Sequence, residues 1–520
     1  MLREKMVEEL ENYTDEWDLV IIGGGATGIG AAIEARSRGL KTLLVEQSDF
    51  SKGTSSRSTK LVHGGVRYLA QGNVSLVKEA LRERGNMKKN APHLVKDQSF
   101  IIPNYVWWGV PFYTIGLVIY DLLAGFLSLG KSRPFSKATT LEKIPTLIPQ
   151  NLYGGVIYHD GQFDDSRMAI NLVQTFAEIG GVAINYMKVN SLVKKNGRVF
   201  GVKTVDRETG KSYEIACKVV LNATGVFVDN ILKMDDPNAR KLVRVSQGVH
   251  LVIDREFVPG DYAIMIPKTK DGRVLFAVPW HNKVVVGTTD IKKESAEIEP
   301  VALDEEIDFI LETAGRFLVK PPQRSDVRSV FAGLRPLAAP RKEGKNTKEI
   351  SRGHIIKVSD SGLVTVTGGK WTTYRRMAED VVDLLKLKFN LNIDKSATNS
   401  CRIHGYKVGV DWNNPLYYYG SDEEKMLSLV EENSEFGELI SDDPYIIKAQ
   451  VVWSVREEMA RTVEDFLARR IRALFLNARE SVRIAPVVAE IMAKELNKGN
   501  DWVKEQLEEY TIVAKNYILW

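Results

Sequence analysis

Residues 18–46 read DLVIIGGGATGIGAAIEARSRGLKTLLVE, and the fold class follows from them. A short apolar, β-rich run, DLVII, is followed by a glycine turn, a stretch of helical composition and a second apolar run, KTLLVE: a β-turn-α-β unit of about 30 residues. Gly23, Gly25 and Gly28 stand in G-x-G-x-x-G register after the strand and at the start of the helix. Gly23 permits the tight turn, Gly25 lets backbone approach a pyrophosphate, and Gly28 lets helix and strand pack closely. Glu46, which closes the second strand, is placed to accept hydrogen bonds from an adenosine ribose. A glycine-rich turn without a ligand would explain the glycines but not that carboxylate. The spacing leaves NAD and FAD both open.

Outward from this unit, 520 residues with 44 % hydrophobic content are enough for several sizeable cores. Lys plus Arg (71) nearly balances Asp plus Glu (67), which argues against a nucleic-acid protein defined by bulk charge. Only two cysteines occur, Cys217 and Cys401, too few for a paired-cysteine zinc site or an iron–sulfur ligand set; no metal is expected, and a reducing compartment is. The first seventeen residues carry six acids and two bases without a long apolar core, unlike a signal peptide. A cytoplasmic location is expected.

Apolar runs between residues 153 and 290, among them VVLNATG (219–225), HLVI (250–253), VLFAVPW (274–280) and KVVVGTTD (283–290), read as strands of a mixed sheet. From about residue 400 the pattern is helical. Its acidic (423–443) and basic (461–483) blocks read as a solvated helical surface.

Six further segments carry a family pattern: GTSSRSTKLVHGGVRYL (53–69), ATG (223–225), GTTD (287–290), GLRPL (333–337), GGKWTTYR (368–375) and EMARTVEDFLARR (458–470). With the glycine turn, the chain resembles the FAD-dependent glycerol-3-phosphate dehydrogenases from about residue 16 to 495. The resemblance implies an α/β flavoprotein. Residues 1–395 would form a Rossmann-like FAD-binding domain with an interleaved mixed-sheet substrate-capping domain, the latter mainly 90–150 and 240–330. Residues 396–520 would form an all-α C-terminal domain. FAD then becomes the expected cofactor. Positions matching the family's flavin contacts are Gly23, Gly24, Gly25, Thr27, Gly28, Glu46, Thr54, Ser55, Lys60, His63, Gly64, Gly65, Ala223, Gly225, Gly287, Thr288, Asp290, Gly369, Lys370, Trp371 and Thr372.

The implied reaction is oxidation of sn-glycerol 3-phosphate to dihydroxyacetone phosphate, with hydride passing from C2 to flavin N5. Guanidinium forks suit a phosphate dianion, so Arg67 and Arg352 are expected on the phosphate, with Tyr68 and Thr373 alongside, and Arg335 and Lys370 near the reacting oxygen. Pro336 restricts Arg335's backbone, which suits a pre-positioned group. The Gly-Gly-Lys segment opens a helix whose unpaired amides attract an anion, such as a reduced flavin. For proton removal His63 leads, His250 is second and Lys370 competes.

Val106–Leu129 is 24 residues long with Asp121 as its only charge, long enough to span a bilayer. Yet it lies between HGG and ATG, which must meet at one flavin, so a single crossing is excluded. A helix hidden inside the protein and a surface helix dipping into one leaflet, with Lys131, Arg133 and Lys137 near anionic headgroups, both remain. The resemblance favours the second: a peripheral enzyme on the inner face of the cytoplasmic membrane with a quinone as electron acceptor. Two roles are open for the tail, homodimer formation or shielding of the active-site domain. The competing functions are an FAD-dependent amine oxidase of the glycine-oxidase type and a non-catalytic membrane-associated flavoprotein.

Overall fold

The computed structural model describes residues 1–66, 69, 72–269, 272–339 and 353–519. The strand Trp17–Ile22 sits inside a largely parallel sheet between Thr42–Val45 and Ser212–Asn222, with Val182–Ile184 and Val364–Gly368 further out. Both faces of that strand are covered. Leu19 and Ile21 enter a core shared with Ile29, Phe176 and Val381 of the helices Ala26–Ser37, Asp165–Glu178 and Tyr374–Phe389. Val20 and Ile22 enter a second core with Val202 and Ile215 from strands that form an antiparallel meander. Burial on two faces is why DLVII is an unbroken apolar run rather than an alternating one. The same applies to VVLN in VVLNATG, which corrects its assignment to the mixed sheet: Val219–Asn222 lie in this parallel sheet, in register with Leu19–Ile22.

A second, ten-stranded mixed sheet covers the carboxyl-end side. Its strands reach beyond 90–150 and 240–330, taking in Leu61–Val62, Gly154–Phe163 and the end of Val327–Ala338. The antiparallel pair Val243–Asp254 and Val327–Ala338 aligns Ser246 with Arg335, Gly248 with Gly333 and His250 with Phe331. Side chains alternate along a strand, so these residues share one face while Val249, Leu251, Val330 and Ala332 pack into the core on the other.

The tail contributes the helices Lys448–Glu458, Ala478–Glu495 and Asn500–Lys515 and a short hairpin, Leu439–Asp442 with Tyr445–Ile447. Its core includes Trp280, Val285 and Phe331 of the capping sheet. The expected solvated surface holds for the acidic block, where Glu424, Glu431, Glu432, Glu435 and Glu438 are exposed, and for Arg479 and Arg483, but it fails in the middle of the basic block. Arg469, Arg470 and Arg472 are fully buried. Arg470 grips Asp49 with both terminal nitrogens, at 2.8 and 2.9 Å, and Arg469 reaches the same carboxylate at 2.5 Å. Arg472 binds Ser166 Oγ at 2.7 Å and Asp165 at 3.2 Å, and Arg167 forks onto Glu458 at 2.8 Å twice. A guanidinium tolerates burial only when its donors are satisfied, and distant carboxylates satisfy these: Asp49 and Asp165 lie 307 to 421 residues before their tail arginines, and Glu458 lies 291 residues after Arg167.

The apolar stretch forms a helix, Gly109–Ala124, extended by a 3₁₀ turn to Leu127. Only 11 % of its most apolar window is buried, which overturns the hidden-helix alternative. Phe112, Ile115, Ile119, Leu122 and Phe126 form an exposed stripe at helical spacing, Leu122 being 75 % exposed. Asp121 accepts the Ser132 N–H at 2.6 Å, which caps the turn that follows. Before and after the helix, the strands Val95–Asn104 and Gly154–Phe163 pair antiparallel, so the chain leaves and re-enters the same sheet.

Candidate active site

Chain order reverses on either side of Trp17–Ile22, the place where open α/β sheets leave a crevice at their carboxyl ends. The glycine turn fills it closely. A Cβ on Gly28 would lie 1.9 Å from the Gly23 carbonyl oxygen, and Gly23 itself has φ +113°. On Gly25 a Cβ would meet only Ser55 Oγ, at 3.1 Å, so its backbone faces open space. The same Ser55 hydroxyl accepts the Ala26 N–H at 2.9 Å. Glu46 accepts from Gly24 N–H at 2.7 Å and Ser48 N–H at 2.9 Å, fixing its carboxylate beside the turn. Thr27 stands in the first turn of the helix, and Ala223 and Gly225 (φ +61°) close the opposite wall. This donor set and close backbone approach fit the pyrophosphate and ribose of a dinucleotide.

Beyond the turn lies a cleft of about 300 Å³ between the two sheets. It brings together Thr54, His63, Gly65, His250, Thr288, Asp290, Arg335, Gly369, Lys370, Trp371 and Thr372, eleven of the residues expected at the site. Arg335 donates to Thr288 Oγ1 at 2.8 Å and to the Thr289 carbonyl at 3.1 Å. Room for its guanidinium comes from Gly248, where a Cβ would stand 2.1 Å from Nη2. Ser246 donates to Asp290, which lies 3.8 Å from Arg335. Gly368 and Gly369 both have positive φ, and the turn Trp371–Thr373 runs directly into the helix Tyr374–Phe389. The positive end of that helix therefore faces the cleft. Trp371 Nε1 donates to the Ser55 carbonyl at 2.8 Å, which ties this turn to the glycine-rich half.

The two histidines differ. His250 is buried, stacks on Phe331 at 4.9 Å and meets Thr59 Oγ1 through Nε2 at 2.9 Å. Burial, with Arg335 and Lys60 nearby, pushes its pKa well below the usual imidazole range, so it stays neutral. His63 is only half-buried and lies opposite Phe276, at 6.5 Å between ring centroids.

Some expected residues are placed elsewhere. Lys60 does not line the cleft: its ammonium is wholly buried, 2.7 Å from Asp165 and 2.8 Å from the Ser56 carbonyl, under the rings of Trp280, Phe331 and Phe475. Desolvation pushes its pKa down to about 7. Its side chain braces the loop between Ser56 and Asp165. The Thr373 hydroxyl turns back onto the Lys370 carbonyl at 3.3 Å. Gly64 and Gly287 are backbone elements packed against Tyr120 and His250. Arg67, Tyr68 and Arg352 lie outside the described residues. One cation was not foreseen: Arg273 lines the cleft beside Phe276, packed on the Phe309 ring at 5.5 Å. In sequence it sits in a charged turn, KTKDGR, where it looks like any solvated arginine.

A glycine cradle for a dinucleotide opening into a cationic cleft between two sheets defines a flavin-type oxidoreductase. The family model described as FAD dependent oxidoreductase matches residues 18–375, and that described as the C-terminal domain of alpha-glycerophosphate oxidase matches residues 368–505. The mitochondrial glycerol-3-phosphate dehydrogenase of Mus musculus is 40 % identical, over 98 % of this chain and 74 % of its own. A probable mitochondrial glycerol-3-phosphate dehydrogenase of Dictyostelium discoideum is 37 % identical, over 99 % and 86 %. Among solved structures, the Bacillus halodurans glycerol-3-phosphate dehydrogenase complexed with FAD superposes with a TM-score of 0.80 at 31 % identity, covering 99 % of this chain and 97 % of that one. The chain belongs to the FAD-dependent glycerol-3-phosphate dehydrogenase family, and its cofactor is FAD.

Proposed function

We propose that this enzyme oxidises sn-glycerol 3-phosphate at C2 to dihydroxyacetone phosphate and delivers the electrons to a quinone at a bilayer surface. The observation that carries the reading is the convergence of Arg273, Arg335, Lys370 and His63 on one cleft beside the dinucleotide cradle. Bound FAD supplies the acceptor for the hydride from C2. The protein's own groups do the rest. Arginine forks hold the phosphate dianion. Arg335 and Lys370 lower the cost of negative charge on the C2 oxygen. His63, half-buried and at the cleft, takes the hydroxyl proton; His250, whose charged form burial disfavours, orients through Thr59 instead. Val66, Phe100, Tyr158 and Phe276 add apolar wall to the same cleft, which would limit water at the reacting centre.

Supporting the bilayer and quinone parts, the cleft-wall residues Val66, Met265 and Phe276 belong to the same apolar cluster as Val110, Tyr113 and Leu117 of the exposed helix. Lys131, Arg133 and Lys137 are exposed just beyond that helix, where anionic headgroups would complement them. The enzyme would thus lie peripherally on the inner face of the cytoplasmic membrane. Anaerobic addition of sn-glycerol 3-phosphate should bleach the flavin absorbance, and subsequent quinone should restore it. Bleaching by glycine or sarcosine instead would refute the substrate assignment.

A further inference from the structure

The exposed helix and the flavin-facing turn share one buried hydrogen-bonded chain. Tyr120, on the inner face of Gly109–Ala124, accepts the Gly64 N–H at 2.8 Å and donates to Asp160 at 2.9 and 3.0 Å. Arg84 closes the chain: Nη1 donates to Asp160 at 2.6 Å, and Nη2 donates at 3.1 Å to the carbonyl of Leu127, at the far end of the same apolar element. We propose that Tyr120, Asp160 and Arg84 are positioning residues that hold the His63–Gly65 turn, so that seating the helix Gly109–Leu127 on a bilayer sets the geometry of the flavin site. The coupling to lipid rests on the docking reading above.

Three features make this a mechanical link rather than an incidental contact. The turn has no slack, because a Cβ on Gly64 would lie 2.5 Å from the Tyr120 hydroxyl and 2.7 Å from Leu81; Tyr120 cannot shift without moving the Gly64 amide. The helix is gripped at two points, Tyr120 in its middle and Leu127 at its end, through one buried carboxylate. Between those points Ala124 is buried but Leu122 and Phe126 are exposed, and they continue the apolar stripe of Phe112, Ile115 and Ile119, so the seating of the element depends on what covers that stripe. Burial beside Asp160 holds the Tyr120 hydroxyl pKa well above its ordinary value, so it stays protonated as the donor. Asp160 also lines the cleft, one residue before Gly161, which pairs with Val62 at the root of the turn.

The test uses the full-length, FAD-loaded enzyme and vesicles of phosphatidylethanolamine with phosphatidylglycerol. Tyr120→Phe keeps the ring and leaves Arg84–Asp160 paired. It should retain FAD and float with vesicles as the parent does, yet lose about tenfold in kcat on a soluble dye with KM for sn-glycerol 3-phosphate within about twofold. In the parent, vesicles should change the flavin's visible circular dichroism; in Tyr120→Phe that response should be absent. A Tyr120→Phe enzyme with parental kcat and parental vesicle response overturns the link. Should that variant not fold, the parent and Leu122→Asp, changed on the exposed stripe, decide: a parent that floats without any flavin response overturns the link while docking stands. A parent that does not float refutes docking, and the lipid coupling with it.

Discussion

Gly248→Ala is the most economical probe of the reacting centre, because the atoms nearest the added methyl all belong to one functional group, the Arg335 guanidinium. Its Cβ would stand 2.1 Å from Arg335 Nη2 and 2.6 Å from Cζ and Nη1. Ordinary contact begins near 3.4 Å, so the guanidinium must retreat by roughly 1.3 Å. Its backbone needs no such change: Gly248 is extended within a paired strand, where alanine is tolerated. That retreat breaks the 2.8 Å bond to Thr288 Oγ1 and the 3.1 Å bond to the Thr289 carbonyl that aim the fork. Losing one aimed, charged hydrogen bond in the transition state costs about 1.5–3 kcal/mol, or roughly 10- to 150-fold in kcat/KM. The assay is steady-state dye reduction with sn-glycerol 3-phosphate, alongside flavin absorbance and melting temperature. FAD content and Tm should hold. A kcat/KM within about threefold of the parent would show that Arg335's position does not matter to the chemistry.

Three other outcomes are expected. Arg470→Ala leaves Asp49 with a weakened set of buried partners; breaking such a pair costs about 3–5 kcal/mol, visible in urea melts, and flavin should dissociate more readily on dilution. Arg273→Met should raise KM for the phosphoester by about tenfold while leaving the flavin spectrum unchanged; an unaltered KM would remove Arg273 from the anion site. His404 bridges Glu178 at 2.6 Å and Asp422 at 2.5 Å, and hydrogen bonds and charge from Asp422 raise its pKa. Its contribution is therefore complete below pH 6.5 and fades as pH climbs through the raised value, so His404→Asn should flatten the decline of Tm above pH 6.5.

Local pattern made the nucleotide half legible. Gly23, Gly25, Gly28 and Glu46 sit within one β-turn-α-β unit, and each has a backbone or hydrogen-bond reason for its residue type that spacing alone exposes. The cleft was legible only through family motifs, since His63, Arg335 and Lys370 come from strands and turns that meet through long-range pairing. Lys60 lay in such a motif but turned inward, because Asp165, 105 residues later, offers the stronger partner. Arg273 escaped notice for the opposite reason: nothing local separates it from a solvated turn. The basic tail misled most, as the chain's linear order hides that Asp49 and Asp165 wait for Arg469, Arg470 and Arg472. Nor does hydropathy tell an exposed apolar helix from a buried one; only the position of its neighbours does.

That buried lattice of guanidinium and carboxylate has a bearing on how the gene can recombine. A crossover falling anywhere between Asp165 and Glu458 would splice acids from one parent to bases from another. Unless both parents kept the same pairing, the hybrid would enclose an unmatched ion beside the adenosine pocket. Shuffling among relatives should thus recover viable offspring in which the two ends of the polypeptide travel together.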